Sequence, residues 1–185
     1  MILNKIRLKL SSLPAKLRGM KFGKNSFIVP GYDFISNCFF GNITLGDNTS
    51  ISISAWIKVV NKDAKVKIGS NSKIGAFFTL MCQKRIFIGE KCLISYNVSV
   101  IDSDHRIDDP ILSPVESGPS NKAMKIVIGN GCYISAHSFI NKGVCLGKRC
   151  VVGSNSVVTK SFPDYSVIAG NPAKLIRTIS INEQC

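Results

Sequence analysis

Two histidines, one tryptophan and only 11 acidic residues in a chain of 185 exclude several kinds of protein before any motif is read. With so few histidines and no Cys-x-x-Cys pair, a structural zinc site, which takes about four Cys or His ligands, is not expected. No apolar run approaches the roughly 20 residues that a membrane-spanning helix needs. Against the 11 acids stand 24 basic residues, a net charge of +13, which admits nucleic acid, anionic lipid or a phosphorylated ligand as partners. Nucleic acid is set aside, because neither a basic recognition helix nor aromatics interleaved with basic residues on a strand can be found. The seven cysteines are an odd number and no secretory leader is read, so a disulfide framework is not expected and the chain is placed in a reducing cytoplasm.

What is present is a composition 45% hydrophobic and 19% charged, globular and enough for one domain with its own core. Its dominant feature is repetition. Stepping six residues at a time from Ile128 gives Ile134, Ile140, Leu146, Val152 and Val158. Upstream the same step gives Ile88, Ile94 and Val100; Ile68, Ile74 and Leu80; Leu45, Ile51 and Ile57; and, more weakly, Phe22, Ile28 and Phe34. The first anchor of each triplet precedes glycine, at Gly23, Gly46, Gly69, Gly89, Gly129 and Gly147. Four places after that anchor sits a small residue: Ser26, Thr49, Ser72, Cys92, Cys132 and Cys150.

A six-residue unit is one short strand plus a corner, and three such units close a triangular coil of about 18 residues. The anchors are expected to fill the interior, and the small residues, Cys92, Cys132 and Cys150 among them, to stack where space narrows. The glycines and Asn25, Asn48 and Asn71 are expected to supply the positive φ of tight corners. Triplet starts are 23, 23, 20, 40 and 18 residues apart, so one long insertion falls between Val100 and Ile128. A long loop on a rigid solenoid is a natural seat of function, and its Pro110, Pro114, Gly118 and Pro119 show neither helical nor strand periodicity. Residues 1–20 alternate Ile2, Ile6, Leu10, Leu13 and Leu17 with Lys5, Arg7, Lys9, Lys16 and Arg18. They read as a cap on the open end of the coil or as a basic amphipathic foot on an anionic membrane surface.

These triplets, over residues 22 to about 170, resemble the hexapeptide-repeat acyltransferases. The run Val152-Gly153-Ser154-Asn155-Ser156-Val157-Val158-Thr159-Lys160, with Ile168-Ala169-Gly170-Asn171-Pro172-Ala173-Lys174, is similar to the closing signature of their acetyl-CoA-using branch, the sugar O-acetyltransferases. Periodicity does not fix the hand of the coil. The resemblance implies an all-β, left-handed parallel β-helix of about six coils: an N-terminal cap (1–21), the β-helix domain (22–170) with its loop (102–125), and a short tail (171–185). It also implies a homotrimer with active sites between subunits, acetyl-CoA as acyl donor and no metal requirement; the cysteine usage and the basic residues 1–20 add the expectation of a cytoplasmic enzyme able to touch the inner face of the membrane.

An alcohol attacking a thioester needs a base, and imidazole is suited to the task near neutral pH. His105 stands where the family carries its catalytic histidine, at the mouth of the long loop. Asp102 or Asp104 can orient it, cap the loop or meet the acceptor. His137 is read as cleft lining or packing on a strand of the next full coil. Tyr133 stands where the family commonly has Trp, and Phe77 where galactoside acetyltransferases have Asn; both departures bear on the acceptor. By the same resemblance Ala136, Ser154 and Thr159 line the pantetheine channel, while Lys160, Lys174 and Arg177 meet the phosphates of CoA. The reading is O-acetylation of a saccharide hydroxyl in surface polysaccharide modification. Its alternatives are N-acetylation of a nucleotide-linked amino sugar, and a non-catalytic β-helix that scaffolds or binds glycans. A γ-type carbonic anhydrase would need three histidines and the chain has two.

Overall fold

The computed structural model describes residues 19–30 and 39–180. Residues 1–18 of the proposed cap or foot, Phe34, and the last five residues of the tail lie outside them. Short strands wind into a parallel β-helix with three faces. Face A stacks β1 (Lys21–Phe22), β3 (Ile43–Leu45), β5 (Lys65–Ile68), β8 (Arg85–Ile88), β11 (Ile126–Ile128) and β14 (Cys145–Leu146). Face B stacks β2 (Phe27–Pro30), the first half of β4 (Ser50–Val59), β6 (Lys73–Ile74), β9 (Leu93–Ile94), β12 (Tyr133–Ile134), β15 (Val151–Val152) and β17 (Ser166–Gly170). Face C stacks the second half of β4, β7 (Thr79–Cys82), β10 (Ser99–Ile101), β13 (Phe139–Ile140) and β16 (Val157–Val158). Strand β4 turns the corner between B and C at Ser54, whose φ is 59°.

Every anchor from Leu45 to Val158 points inward, none more than 6% exposed, so the six-residue step is the spacing of one core position per face. Registers agree: Leu45 pairs Ile68, Ile68 pairs Ile88, Ile88 pairs Ile128 and Ile128 pairs Leu146. Phe162 starts a partial seventh coil by bridging Leu146, and Ile168 continues it. Within the segment expected as a plain tail, β18 (Ala173–Thr178) folds back antiparallel on β17 and ends face B. That hairpin covers the edge which β17 would otherwise leave unpaired.

The glycines after the first anchors do not serve the corners. Their φ is ordinary, and they are small because coils stack closely there. A Cβ on Gly46 would lie 2.4 Å from the Ser70 nitrogen, and one on Gly129 2.6 Å from the Gly147 carbonyl carbon. Positive φ falls two residues later, at Asn25 (56°), Asn48 (53°) and Asn71 (59°), and at Lys91, Gly131, Arg149 and Tyr165 in later coils. The small-residue column also bonds as it stacks. Thr49 Oγ1 donates to Gly69 O at 2.7 Å, Ser72 Oγ to Gly89 O at 2.9 Å, Cys92 Sγ to Gly129 O at 3.2 Å and Cys132 Sγ to Gly147 O at 3.1 Å. The cysteines thus occupy a hydroxyl position, buried and intramolecular. Contact with the Cys150 and Cys92 thiols, then burial, pushes the Cys132 thiol up, which keeps it protonated and unreactive.

Candidate active site

All the irregular lengths in coils two to four gather on one edge of the prism, between faces C and A: Val60 to Ala64, Gln83–Lys84, and the long loop from Asp102 to Lys125. An edge that absorbs insertions leaves the stacked faces undisturbed. The loop is stitched down on both sides. Below, Gln83 Nε2 donates to Ser120 O at 2.7 Å; above, Lys142 Nζ reaches the Asp104 carboxylate at 2.7 and 2.8 Å, and Gly143 N donates to Met124 O at 3.2 Å.

Its two arms run antiparallel, with Ser120 N donating to Asp104 O at 2.8 Å, Arg106 N to Gly118 O at 3.1 Å, and His105 bridging Pro119. At the tip a single helical turn, α1 (Pro114–Ser117), replaces the structureless loop that the sequence suggested. Glu116 Oε2 accepts the Ser113 N–H at 2.9 Å and its O–H at 2.6 Å. Ser113-Pro114-Val115-Glu116 is a capping-box pattern with Pro at the first helical position, a signal short enough for a search for periodicity to miss.

His105 is exposed on this loop with its Nδ1 3.2 Å from Pro114 O. A carbonyl oxygen only accepts, so the bond exists only when Nδ1 carries the proton, and Nε2 is then the unprotonated nitrogen of the neutral ring. The orienting partner is a backbone carbonyl and neither aspartate. Asp102 is 0% exposed, and its carboxylate accepts the N–H groups of Gln83 (2.7 Å), Lys84 (2.7 Å) and Arg85 (2.9 Å). It pins the turn beneath the loop and is not available to imidazole or acceptor; its charge, after burial itself, pushes the neighbouring Cys82 thiol up. Asp104 is engaged by Lys142, a residue whose role the sequence did not signal because it lies 38 positions away.

The remaining site residues fall elsewhere. His137 does not lie on a strand: it occupies the turn between β12 and β13 with φ 60°, exposed, edge-on to Tyr96 at 5.2 Å and 3.4 Å from Asn97 Nδ2. It shares the B–C edge with Ser54, Phe77, Asn97 and Asn155, all at positive φ. Ala136 and Ser154 belong to the same edge, linked through the Asn155 N–H that donates to Ala136 O at 3.0 Å. Tyr133 projects from face B, in register with Leu93 and Val151. Thr159 and Lys160 follow β16 at the upper C–A edge, and Lys174 and Arg177 sit exposed on β18. Within one prism, therefore, His105 and the Ala136–Ser154 pair expected to line the donor channel are on different edges, separated by face C. Among the described residues no group of three His, Cys, Asp or Glu side chains converges as a metal site would require, and no helix is long and apolar enough to cross a membrane.

A parallel three-faced coil with a six-residue step defines the class, that of hexapeptide-repeat β-helix proteins. The family described as "Bacterial transferase hexapeptide (six repeats)" matches residues 125–160. The chain is 30% identical over 140 residues to galactoside O-acetyltransferase of Escherichia coli K12, spanning 74% of this chain but only 64% of that enzyme's length. It is 27% identical over 143 residues to an E. coli K12 protein assigned as the lipopolysaccharide-biosynthesis O-acetyl transferase WbbJ, covering 74% of this chain and 72% of that one. Its backbone matches AntD, an N-acyltransferase of Bacillus cereus solved as a point mutant in complex with dTDP and coenzyme A, at TM-score 0.72 and 25% identity over 92% of this chain and 90% of that one. The chain is thus similar in sequence and backbone to hexapeptide-repeat acetyltransferases, and its coil is a left-handed parallel β-helix.

Proposed function

We propose that this protein is an acetyl-CoA-dependent O-acetyltransferase acting on a saccharide hydroxyl, with His105 as general base. The observation that carries the reading is the His105 ring, exposed on a stitched loop with Nδ1 directed at Pro114 O and Nε2 left to accept a proton. Nε2 takes the hydroxyl proton as the oxygen bonds to the thioester carbonyl carbon. The tetrahedral intermediate then collapses, the carbon–sulfur bond breaks, and the departing thiolate takes the proton back from Nε2. The similarity to a galactoside and a lipopolysaccharide O-acetyltransferase supports a sugar acceptor of the surface-polysaccharide kind, and the coenzyme A bound to AntD supports the donor.

One acetyl-CoA can touch both His105 and the Ala136–Ser154 channel only if neighbouring prisms each supply one edge, so the reading includes a homotrimer with sites between subunits. Ile107, Ile111 and Val115 of the loop are 83%, 88% and 88% exposed, and the B–C edge exposes Ile53, Phe77 and Tyr96. Loop against edge would bury both sets. In this assembly Thr159 continues the channel, Lys160, Lys174 and Arg177 meet the CoA phosphates, and Tyr133 borders the acceptor. The same reading keeps residues 22–170 as the catalytic unit, with 1–21 as a cap that can touch an anionic inner membrane face.

The test is mass-spectrometric detection of acetyl transfer from acetyl-CoA to a panel of saccharides and amino sugars, wild type against His105→Ala. A sugar ester lost in the variant is expected. The AntD likeness favours a second reading, N-acylation of a nucleotide-linked amino sugar. An amide product, with His105→Ala only mildly slower, would select it, because an amine needs less base assistance. No transfer and no acetyl-CoA binding would leave a scaffold.

A further inference from the structure

Face A carries a row of cations that nothing in the fold requires. Lys65 and Arg85 are direct Cα partners on β5 and β8, and Lys125, one residue before β11, continues the same row because Ile126 pairs Ile86. All three are exposed. Coils of a parallel sheet stack about 4.8 Å apart, so three positive charges stand in register over about 10 Å. Like charges directly opposite one another destabilise a sheet. None of the three joins the ion pairs found among the described residues, which use Lys122, Lys142 and Lys148.

Beside this row, at the foot of the long loop, lies a depression of about 390 Å³ lined by Asn61, Asp63, Gln83, Lys84, Arg85 and Lys125. Its floor is rigid. The buried Asp102 carboxylate holds the backbone N–H groups of residues 83–85, and Asn61 Nδ2 donates to Gln83 O at 2.8 Å. Three cations face one carboxylate, that of Asp63. The depression is also tied to the catalytic loop, since Gln83 bonds Ser120 O and the neighbouring Pro119 bridges His105.

We infer that this depression and its flanking cation row bind the acceptor: a saccharide bearing carboxylate or phosphate groups, held by its charges while a hydroxyl further along reaches His105. The inference rests on the proposed saccharide acceptor and adds its charge. A row of cations at coil spacing suits a chain with several anionic groups better than a single one, because a lone anion would need one cation pocket and no ladder. Such binding weakens as salt screens exposed charges.

The experiment measures binding by calorimetry, without acetyl-CoA, of three oligosaccharides: oligogalacturonate, its neutral carboxyl-reduced form, and a poly(glycerol phosphate). Wild type is compared with the triple variant Lys65→Gln, Arg85→Gln, Lys125→Gln, whose substitutions are all on the surface. Wild type should bind one or both anionic chains about tenfold more tightly than the neutral one, and the variant should lose that preference. Preference for the carboxylate or for the phosphate chain identifies which anion the acceptor carries. Acetyl-CoA affinity should be unchanged in the variant.

Equal binding of charged and neutral chains by wild type would overturn the inference, as would a variant that keeps the preference. A variant that loses acetyl-CoA affinity instead would assign the row to the donor's phosphates, and tighter binding of single-stranded nucleic acid of matched charge would assign it to a different polymer; either result defeats the proposal. Anion-dependent binding with no acetyl transfer to any chain would leave the binding site standing and count against the O-acetyltransferase reading alone.

Discussion

His105 and Asp102 are three residues apart, yet the structure gives them opposite duties. His105 is exposed and positioned by one backbone carbonyl, so His105→Ala should leave thermal stability unchanged and lower kcat by about 10²–10⁴, read from ester formation by mass spectrometry. Asp102 is buried under three N–H donors, so Asp102→Asn, which turns an NH₂ toward those donors, should cost about 3 kcal/mol in denaturant unfolding. Two carboxylates near the tip of the loop, Asp109 and Glu116, contribute to its acid limit. Asp109 is held below its ordinary value by the N–H groups of Leu112 and Ile111, and Glu116 by the hydroxyl and N–H of Ser113. A lowered folded pKa gives order that is present above the ordinary carboxylate range and lost as pH falls through the lowered value. Hydrogen-exchange protection factors at residues 109–117, taken relative to the intrinsic rate at each pH, should therefore fall in acid while those of the coil amides are kept. A histidine at a loop mouth was legible in the sequence; that Asp102 faces inward was not, since its partners lie 17 to 19 positions upstream.

Among elements, the stacked column and the close-approach glycines make contrasting predictions. Ser72 and Cys132 occupy equivalent places and make the same bond to a carbonyl of the next coil, so Cys132→Ser should cost less than about 1.5 kcal/mol. Gly129→Ala has no such latitude. Its Cβ would meet backbone at 2.6 Å on Gly147 and 2.7 Å on Lys148, and it should cost about 3 kcal/mol or more, measured by the same unfolding curves. Both positions could be read from the sequence as special. The reason for the glycines could not, because closeness to the next coil is a property of stacking, and a single coil would leave the same residue in open space.

On the scale of the whole molecule, the proposed base and the proposed donor channel lie on different edges of one prism, so the proposed site needs two prisms. Ile107→Glu with Ile111→Glu should shift sedimentation from trimer toward monomer and reduce kcat/KM in parallel, with little change in the melting of each coil, since both side chains are more than four fifths exposed in the single chain. If the double variant remains trimeric, the loop tips are not the contact.

The sequence by itself determined the coil. A six-residue step of aliphatic anchors, grouped in threes, is buried as three strands to a turn, and the glycine after each first anchor was marked as special by its recurrence. It also marked the exception, 102–125, as the place where function was expected. Only the tertiary structure decided which groups meet. Asp104 found Lys142, Gln83 found Ser120, and Lys65, Arg85 and Lys125 came into one row, because each coil brings residues about 20 to 40 positions apart into adjacent strands. Insertions of unequal length separate those partners along the chain, and no fixed period in the sequence reveals the match.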